Sequence, residues 1–382
     1  MTETTATSTD PADGPRRSPL HELHEKLGAS FTDFAGWLMP VRYSSDLAEH
    51  HAVRTAAGIF DISHMAEIQV SGPDASTFLD HALAGNIGAV PAGRAKYSLV
   101  LDGGGGILDD IIVYHNAEGE YLVVANAGNR HVVLDALQNR AAGFDVTLVD
   151  LTDDIVLIAV QGPASQAILA ATRGLVIDGL DDLKYYASTG ATFGSGTVLV
   201  ARTGYTGENG YELYVDVQDA AALWIALTEA GAGHGLVPAG LASRDTLRLE
   251  AGMPLYGHEL GLDTLPAQAG LGRVVSLAKT DDFIGRSAVE AGPGEGARVL
   301  VGLASEGKRA GRAGYPVFDG DVEVGAVTSG ALSPTLGYPI AMAYVDPASS
   351  LAGTELQIDV RGSRIAAVVV PLPFYKKEST NG

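Results

Sequence analysis

Two adjacent aspartates, Asp109 and Asp110, stand inside an apolar run, in the stretch DGGGGILDDIIVYH at residues 102–115. Strands disfavour Asp, and cores exclude unpaired carboxylates. In an extended strand the side chains alternate between faces. Ile107, Asp109, Ile111 and Val113 then share one face, and Leu108, Asp110, Ile112 and Tyr114 the other. The two acids are therefore not a same-face acid–base dyad. One can serve the glycine turn or a cap, and the other can reach a pocket beside Tyr114. Alternatively, both lie near solvent where the strand begins.

A second stretch, RTGYTGENGYEL at 202–213, has the same shape: a strand meets a glycine-rich turn with polar residues held beside it. Glu208 is either a turn acid or a carboxylate aimed at a cleft. Carboxylates pair well with a donor–donor edge, such as a 2-amino group beside a ring N–H. A third stretch, ASRDTLRLEAG, sets Arg244 and Arg248 four apart on one helix face. Asp245 is three residues from Arg248, so this also reads as a salt-bridged helix surface.

Other chemistries are set aside. There is no cysteine, hence no disulfide, thiolate metal site or thiol nucleophile. No G-x-x-x-x-G-K-[ST] loop or G-x-S-x-G elbow occurs, and GAGHG (231–235) ends a helix rather than opening one. His21 and His24, in HELHE, lack a third ligand and read as surface or packing residues. EHHAVR (49–54) reads as a solvated or packing face. No metal is expected. With 46 Asp plus Glu against 25 Lys plus Arg, the net charge of −21 repels phosphate backbones, so nucleic acid is an unexpected partner. No apolar run reaches the roughly 18 residues of a membrane helix.

The elements that must position these residues follow from the pattern. With 382 residues, two or three domains are expected. Residues 1–17 read as a disordered tail. Helices are predicted from Ser18 to Gly28, with Ser18 as N-cap, and over 44–58, ended by Gly58. The order strand (66–72), helix (72–85), strand–turn–strand (95–115), strand (120–126) and helix, capped by Asn126, partly recurs after residue 154. There a strand again reaches Gly-Pro, followed by a helix, a hairpin (197–215) and helices at 219–231 and 240–252. This predicts two related α+β lobes within 18–289. After the linker 290–297 come short strands separated by turn residues. These predict an antiparallel β barrel or sandwich over 295–376.

Eight segments in register carry a family resemblance: FAGWLMPVRY (34–43), GIFDISHM (58–65), GGILDDIIVY (105–114), VVANAGN (123–129), QGPAS (161–165), RTGYTGENGYE (202–212), ASRDTLRLEAGMPLYGHE (242–259) and VTSGALSPTL (327–336). The chain resembles the glycine cleavage T-protein family, the tetrahydrofolate-dependent aminomethyltransferases, from about residue 18 to 376. The resemblance implies an α+β, three-domain cloverleaf around a folate cavity, with tetrahydrofolate as co-substrate and a lipoylated H protein as partner. The implied reaction moves the methylene of the aminomethyl group on the dihydrolipoyl sulfur to tetrahydrofolate and releases ammonia. It implies a cytoplasmic protein. Asp110 becomes the key acid, and Asp109 returns to a strand or turn role. Met65, Tyr97, Val124 and Asn126 are implied to line the folate site, with Glu208, Arg244 and Tyr375 as further contacts. Arg94 and Lys96 are candidates for H-protein docking at the cavity mouth. Gln268 and Arg273 depart from the family pattern, and Arg273 is a candidate cation for the folate's glutamate tail. Two other readings stay open: a folate-dependent relative acting on a methylated amine or thioether, and a folate-binding factor without transfer chemistry.

Overall fold

The computed structural model describes residues 14–377. The predicted tail lies outside the described residues up to residue 13. Ordered chain nevertheless begins before Ser18: Arg16–Arg17 pair in parallel with Trp37 and Leu38, and the Arg16 guanidinium lies 4.2 Å over the Trp37 ring.

Two sheets carry the predicted lobes. The first has five strands in the order Arg94–Leu101, Ile107–Ala117, Glu120–Ala125, Ala66–Ser71, Thr147–Asp150. The second has seven, and its centre runs Ser188–Phe193, Gly196–Ala201, Gly210–Asp216, Ile155–Gln161. In both, a three-stranded meander pairs through its last strand with the strand that opens the lobe. Both opening strands reach a Gly-Pro step before a helix. Gly72 (φ +139°) and Gly162 (φ +131°) occupy backbone that side chains rarely adopt. A Cβ at Gly72 would lie 2.3 Å from the Asp145 carbonyl, and one at Gly162 2.5 Å from that of Ala56. The same close turn is thus built twice, and the two-lobe reading holds.

The central strands of each sheet bury both faces, which is why Glu120–Ala125 and Ile155–Gln161 read as nearly continuous apolar runs. In the first lobe, Ile111 and Val113 pack under the helices Ala75–Ala82 and Arg130–Arg140, with Phe78, Leu79, Val133 and Leu137. In the second, Ile158 and Val160 pack under Ser165–Ala171 and Ala220–Gly231, with Ile168, Leu223 and Trp224. The opposite faces meet each other: Tyr114, Leu122 and Val124 of the first sheet pack on Leu157, Ala159 and Tyr214 of the second. That shared layer holds the cavity described below.

The C-terminal strands from Val299–Ser305 to Ser363–Val370 close into a six-stranded antiparallel barrel around Leu303, Val317, Ala343 and Ile358. The barrel is tied to the lobes by buried charge. Arg54 donates to Glu250 (2.7 Å) and Glu208 (3.1 Å), while Thr335 and Ser333 of the barrel donate to Glu250. Four residues hold the Glu250 carboxylate: His50, Arg54, Ser333 and Thr335. Burial alone would raise its pKa, but bonds and charge from His50, Ser333 and Arg54 hold it down at about 2. Of the segment EHHAVR, Glu49, His50 and Arg54 therefore form a packing face, while His51 is exposed.

Local expectations shift at several helix ends. The first helix is His21–Lys26, and Ser18 accepts from Leu20 N–H and donates to Asp61 instead of capping it. His24 is buried, joined to Asp61 and Tyr43 at 2.9 Å each, so it packs. The second helix, Asp46–Thr55, stops earlier than predicted, and Gly58 lies in the strand Ala57–Asp61. There a Cβ would come within 2.6 Å of Val53, so the glycine makes room rather than ending a helix.

Candidate active site

A cavity of about 760 Å³ opens between the two sheets. The strand Ile107–Ala117 supplies Asp110, its neighbours supply Tyr97, Val124 and Asn126, and the helix Leu241–Glu250 supplies Arg244. Met65 follows the strand Ala57–Asp61 and also lines it. The sequence therefore brings six of its expected residues to one enclosed space: Met65, Tyr97, Asp110, Val124, Asn126 and Arg244.

Asp110 accepts from the Tyr97 hydroxyl at 3.0 Å and from the Asn126 amide nitrogen at 2.9 Å. Burial pushes its pKa up to about 6, against the restraining bonds from Tyr97 and Asn126. Asp109 is not a bland strand residue. It is fully buried, and accepts from Asn126 N–H (2.9 Å), Asn126 Nδ2 (2.8 Å) and Asn129 Nδ2 (2.6 Å). Burial and the charge of Asp110 push it up to about 7. The two acids do leave the strand on opposite faces. The pairing of Ile112 with Val124 sets residue 126 across from residue 110. The chain turns there into the short 3-10 helix Ala127–Asn129. The Asn126 amide thus lies at the sheet end, where both carboxylates reach it. Its side chain makes no cap bond, contrary to expectation.

Glu208 and Tyr375 are not among the residues lining the cavity. The Tyr375 hydroxyl donates to Glu208 at 2.8 Å, and Tyr375 stacks 4.1 Å from the Arg54 guanidinium. Both belong to the buried network that ties the barrel on. Four residues further along the same hairpin, Glu212 does line the cavity. Its Oε2 accepts from Thr203 and, at 3.4 Å, from Tyr114, while no protein donor reaches Oε1 among the described residues. Burial raises its pKa, opposed by Thr203, the Arg244 charge and Tyr114. Period-two alternation after the Gly-Glu-Asn-Gly turn was the available signal: Glu212 shares a face with Tyr214, which packs in the layer between the sheets.

Arg244 lies 4.5 Å over the Tyr205 ring, and its guanidinium makes no hydrogen bond among the described residues. Arg248 is no surface ion pair. It is buried and holds Asp245 (2.8 Å), Glu259 (3.1 Å) and, on the barrel, Ser329 (2.8 Å). His64 also lines the cavity and is kept neutral, its pKa pushed down to about 3 by burial and by the Arg244 charge. Gln268 pins a loop to the barrel entry, with Leu265 N–H donating to it and its own amide donating to the Arg298 carbonyl, each at 3.0 Å. Arg273 is exposed, and neither it nor Arg94 nor Lys96 lines the cavity. A shallower concavity of about 580 Å³ between the sheet edges holds none of the expected site residues. No group of three or more His, Cys, Asp or Glu placed to hold a metal occurs among the described residues. Among them, no helix is long and apolar enough to cross a membrane.

Fold and site together define a class: a mixed α+β enzyme whose paired lobes enclose an acid-lined small-molecule cavity, with a C-terminal barrel docked beside it. Residues 20–279 match the GCVT N-terminal domain family, and residues 298–376 the glycine cleavage T-protein C-terminal barrel domain. An aminomethyltransferase of Cutibacterium acnes is 59% identical, over 95% of this chain and 99% of that protein. One from Streptomyces avermitilis is 56% identical, over 96% and 99%. The crystal structure of glycine cleavage system aminomethyltransferase T from Bartonella henselae superposes with a TM-score of 0.86 at 39% identity, covering 94% of this chain and 98% of that one. The chain belongs to the glycine cleavage T-protein family and is an aminomethyltransferase of the glycine cleavage system.

Proposed function

We propose that the cavity binds tetrahydrofolate, and that a lipoylated H protein presents the aminomethyl group at its mouth. The methylene carbon then moves from the dihydrolipoyl sulfur to the folate, and ammonia leaves. In this balance the folate gives up two N–H protons; one completes ammonia and the other returns the sulfur to a thiol. Tetrahydrofolate supplies the two amine nitrogens that take up the carbon.

The residues fit such a ligand. Glu212 Oε1 takes no hydrogen bond among the described residues and is open to the cavity, suited to the 2-amino and ring N–H edge of a pterin. Arg244 is an unused donor facing the same space. Met65 and Val124 provide apolar walls. Asp110 acts by charge. Held by Tyr97 and Asn126, it is a carboxylate above about pH 6. It orients the attacking amine and stabilises positive charge that develops on the transferred carbon. No protein nucleophile is needed, and holding the reactants together supplies much of the acceleration, with effective molarities of roughly 10⁵ M in favourable cases. Glu208 and Tyr375 contribute through the network that fixes the barrel. A cytoplasmic location goes with this reading.

The observation that carries the proposal is the Asp110 carboxylate, half-buried on the cavity wall between two fixed donors. The test is ammonia release from aminomethylated, lipoylated H protein, with and without tetrahydrofolate, for wild type, Asp110→Asn and Asp110→Ala. Both variants should fold, bind tetrahydrofolate and lose turnover. Near-wild-type turnover in Asp110→Asn would sink the charge assignment, and release that ignores tetrahydrofolate would sink the folate assignment.

A further inference from the structure

We infer that Asp109 is a positioning residue for the transfer reaction, acting through Asn126 to fix the donor that faces Asp110. The inference rests on the role of Asp110 proposed above and adds a second residue to it.

A carboxylate accepts hydrogen bonds and cannot donate them, whereas an amide side chain has one accepting and one donating end that exchange places by a half-turn. Asn126 Nδ2 lies 2.8 Å from Asp109 Oδ1 and 2.9 Å from Asp110 Oδ1. It also lies 3.1 Å from the Asp110 carbonyl, so its two amide hydrogens are shared between Asp109 on one side and the carboxylate and carbonyl of Asp110 on the other. Asp109 is fully buried and also takes the Asn126 backbone N–H at 2.9 Å. Backbone and side chain of Asn126 are therefore clamped by one carboxylate. With Asp109 ionised, above about pH 7, only the NH₂ end of Asn126 satisfies the site. Without Asp109, Asn126 loses the tether on its backbone N–H and on one side of its amide, so the donor is free to shift away from the Asp110 carboxylate. Asn129, donating to Asp109 at 2.6 Å, holds the clamp from the far side.

The ionisable groups facing the two acids are Tyr97 on the neighbouring strand, Tyr186 and Tyr205 from the second lobe, and Tyr256 and Glu259 on the segment after the helix Leu241–Glu250. None is a cation. The anion on Asp110 is sustained by neutral donors alone, so the orientation of one amide matters more than it would beside an arginine. The raised pKa of Asp109 has the same origin, burial beside a like charge.

The experiment compares wild type, Asp109→Ala, Asn126→Ala and the double variant with aminomethylated H protein and tetrahydrofolate, measuring kcat and KM between pH 5.5 and 9, with thermal melting of each. Asp109→Ala should lower kcat about 10- to 100-fold, the scale of a small misplacement of a reacting group. Its KM for tetrahydrofolate should stay within about threefold. The acidic limb of its kcat profile should shift from its wild-type position, since the Asp110 anion loses both an oriented donor and a like-charged neighbour. The double variant should be no slower than Asn126→Ala by more than about threefold, because both changes remove the same donor. If Asp109→Ala does not fold, Asp109→Asn keeps the volume and one acceptor oxygen and carries the same measurements. A folded variant with wild-type kcat and pH profile overturns the inference, as do effects that multiply in the double variant. Asp110→Asn separates the two claims: if it is active, the Asp110 reading fails; if it is inactive while Asp109→Ala turns over normally, only the inference about Asp109 fails.

Discussion

Two glutamates of one hairpin, Glu208 and Glu212, offer a sharp test of the site. The sequence pointed to Glu208 as the folate contact, but the cavity is lined by Glu212. Replacing Glu212 by Gln keeps its size and removes its charge. If Oε1 receives the donor edge of the pterin, the change removes one or two charge-assisted hydrogen bonds, each about 1.5–3 kcal/mol. Loss of one such bond weakens tetrahydrofolate binding by about 10- to 150-fold. Stability should hold or rise slightly, since burial raises the pKa of Glu212 and its charge is costly in the fold. Glu208→Gln should behave in the opposite way. Its carboxylate is only 4% exposed and takes Arg54 and the Tyr375 hydroxyl. Its loss should cost about 1–3 kcal/mol of stability and leave tetrahydrofolate affinity within about threefold. Calorimetric titration with tetrahydrofolate, alongside thermal melts of both variants, measures both quantities. A Glu208→Gln variant with a wild-type melt and tenfold weaker binding, beside a Glu212→Gln variant that binds normally, would refute the assignment.

Three further outcomes are expected. Arg54→Met should cost about 3–5 kcal/mol, the range for breaking a buried pair, because it strands Glu250 and Glu208 together; a melt lowered by no more than a surface substitution would contradict it. Asp109 and Asp110 have folded pKa values near 7 and 6, raised above the usual carboxylate value. Their stabilising contribution is therefore fully present below about pH 4 and lost as pH rises through 6 and 7. Wild type should lose more stability than Asp110→Asn between pH 5 and pH 8 in denaturant titrations, and equal losses would count against a buried, strained anion. Arg273→Ala should leave affinity for mono- and polyglutamyl tetrahydrofolate within twofold, since Arg273 is exposed and outside the cavity lining.

The lobes and barrel were legible because period-two alternation, Gly-Pro steps and turn residues are local signals. Ile111, Ile112, Val113 and Tyr114 bury alternately toward the helices and toward the other sheet, as their order demands. Helix ends were less legible. Gly58 looks like a helix stop, but it is a strand residue made small by Val53, a contact that no local pattern encodes. Arg248 looks like a surface pair with Asp245, and the spacing is right. Its burial depends on Ser329, which is 81 residues away in the chain. Asp109 was misjudged for a related reason. Alternation correctly separated it from Asp110, yet Asn126 stands where the neighbouring strand ends, and an end residue is free to serve both faces.

What distinguishes the site from the rest of the buried polar chemistry is whether its groups are already satisfied. Arg54, Glu250, His50, Thr335 and Ser333 form a closed set: each carboxylate oxygen of Glu250 has donors, and its pKa falls to about 2. Such a network holds the barrel in place and has nothing left for a ligand. The cavity shows the reverse. Among the described residues, Glu212 keeps a free oxygen, Arg244 lacks hydrogen bonds, and Asp110 sits near 6 with two neutral donors and no cation in contact. Burying groups in that condition is costly in the fold unless a ligand supplies the missing partners. On this criterion Glu208, with Arg54 and Tyr375 already bound, falls on the structural side, and Glu212 on the functional one. The same criterion explains why one mutation near the cavity can raise stability while abolishing transfer, whereas a mutation in the Arg54 network should lower stability first and activity only as a consequence.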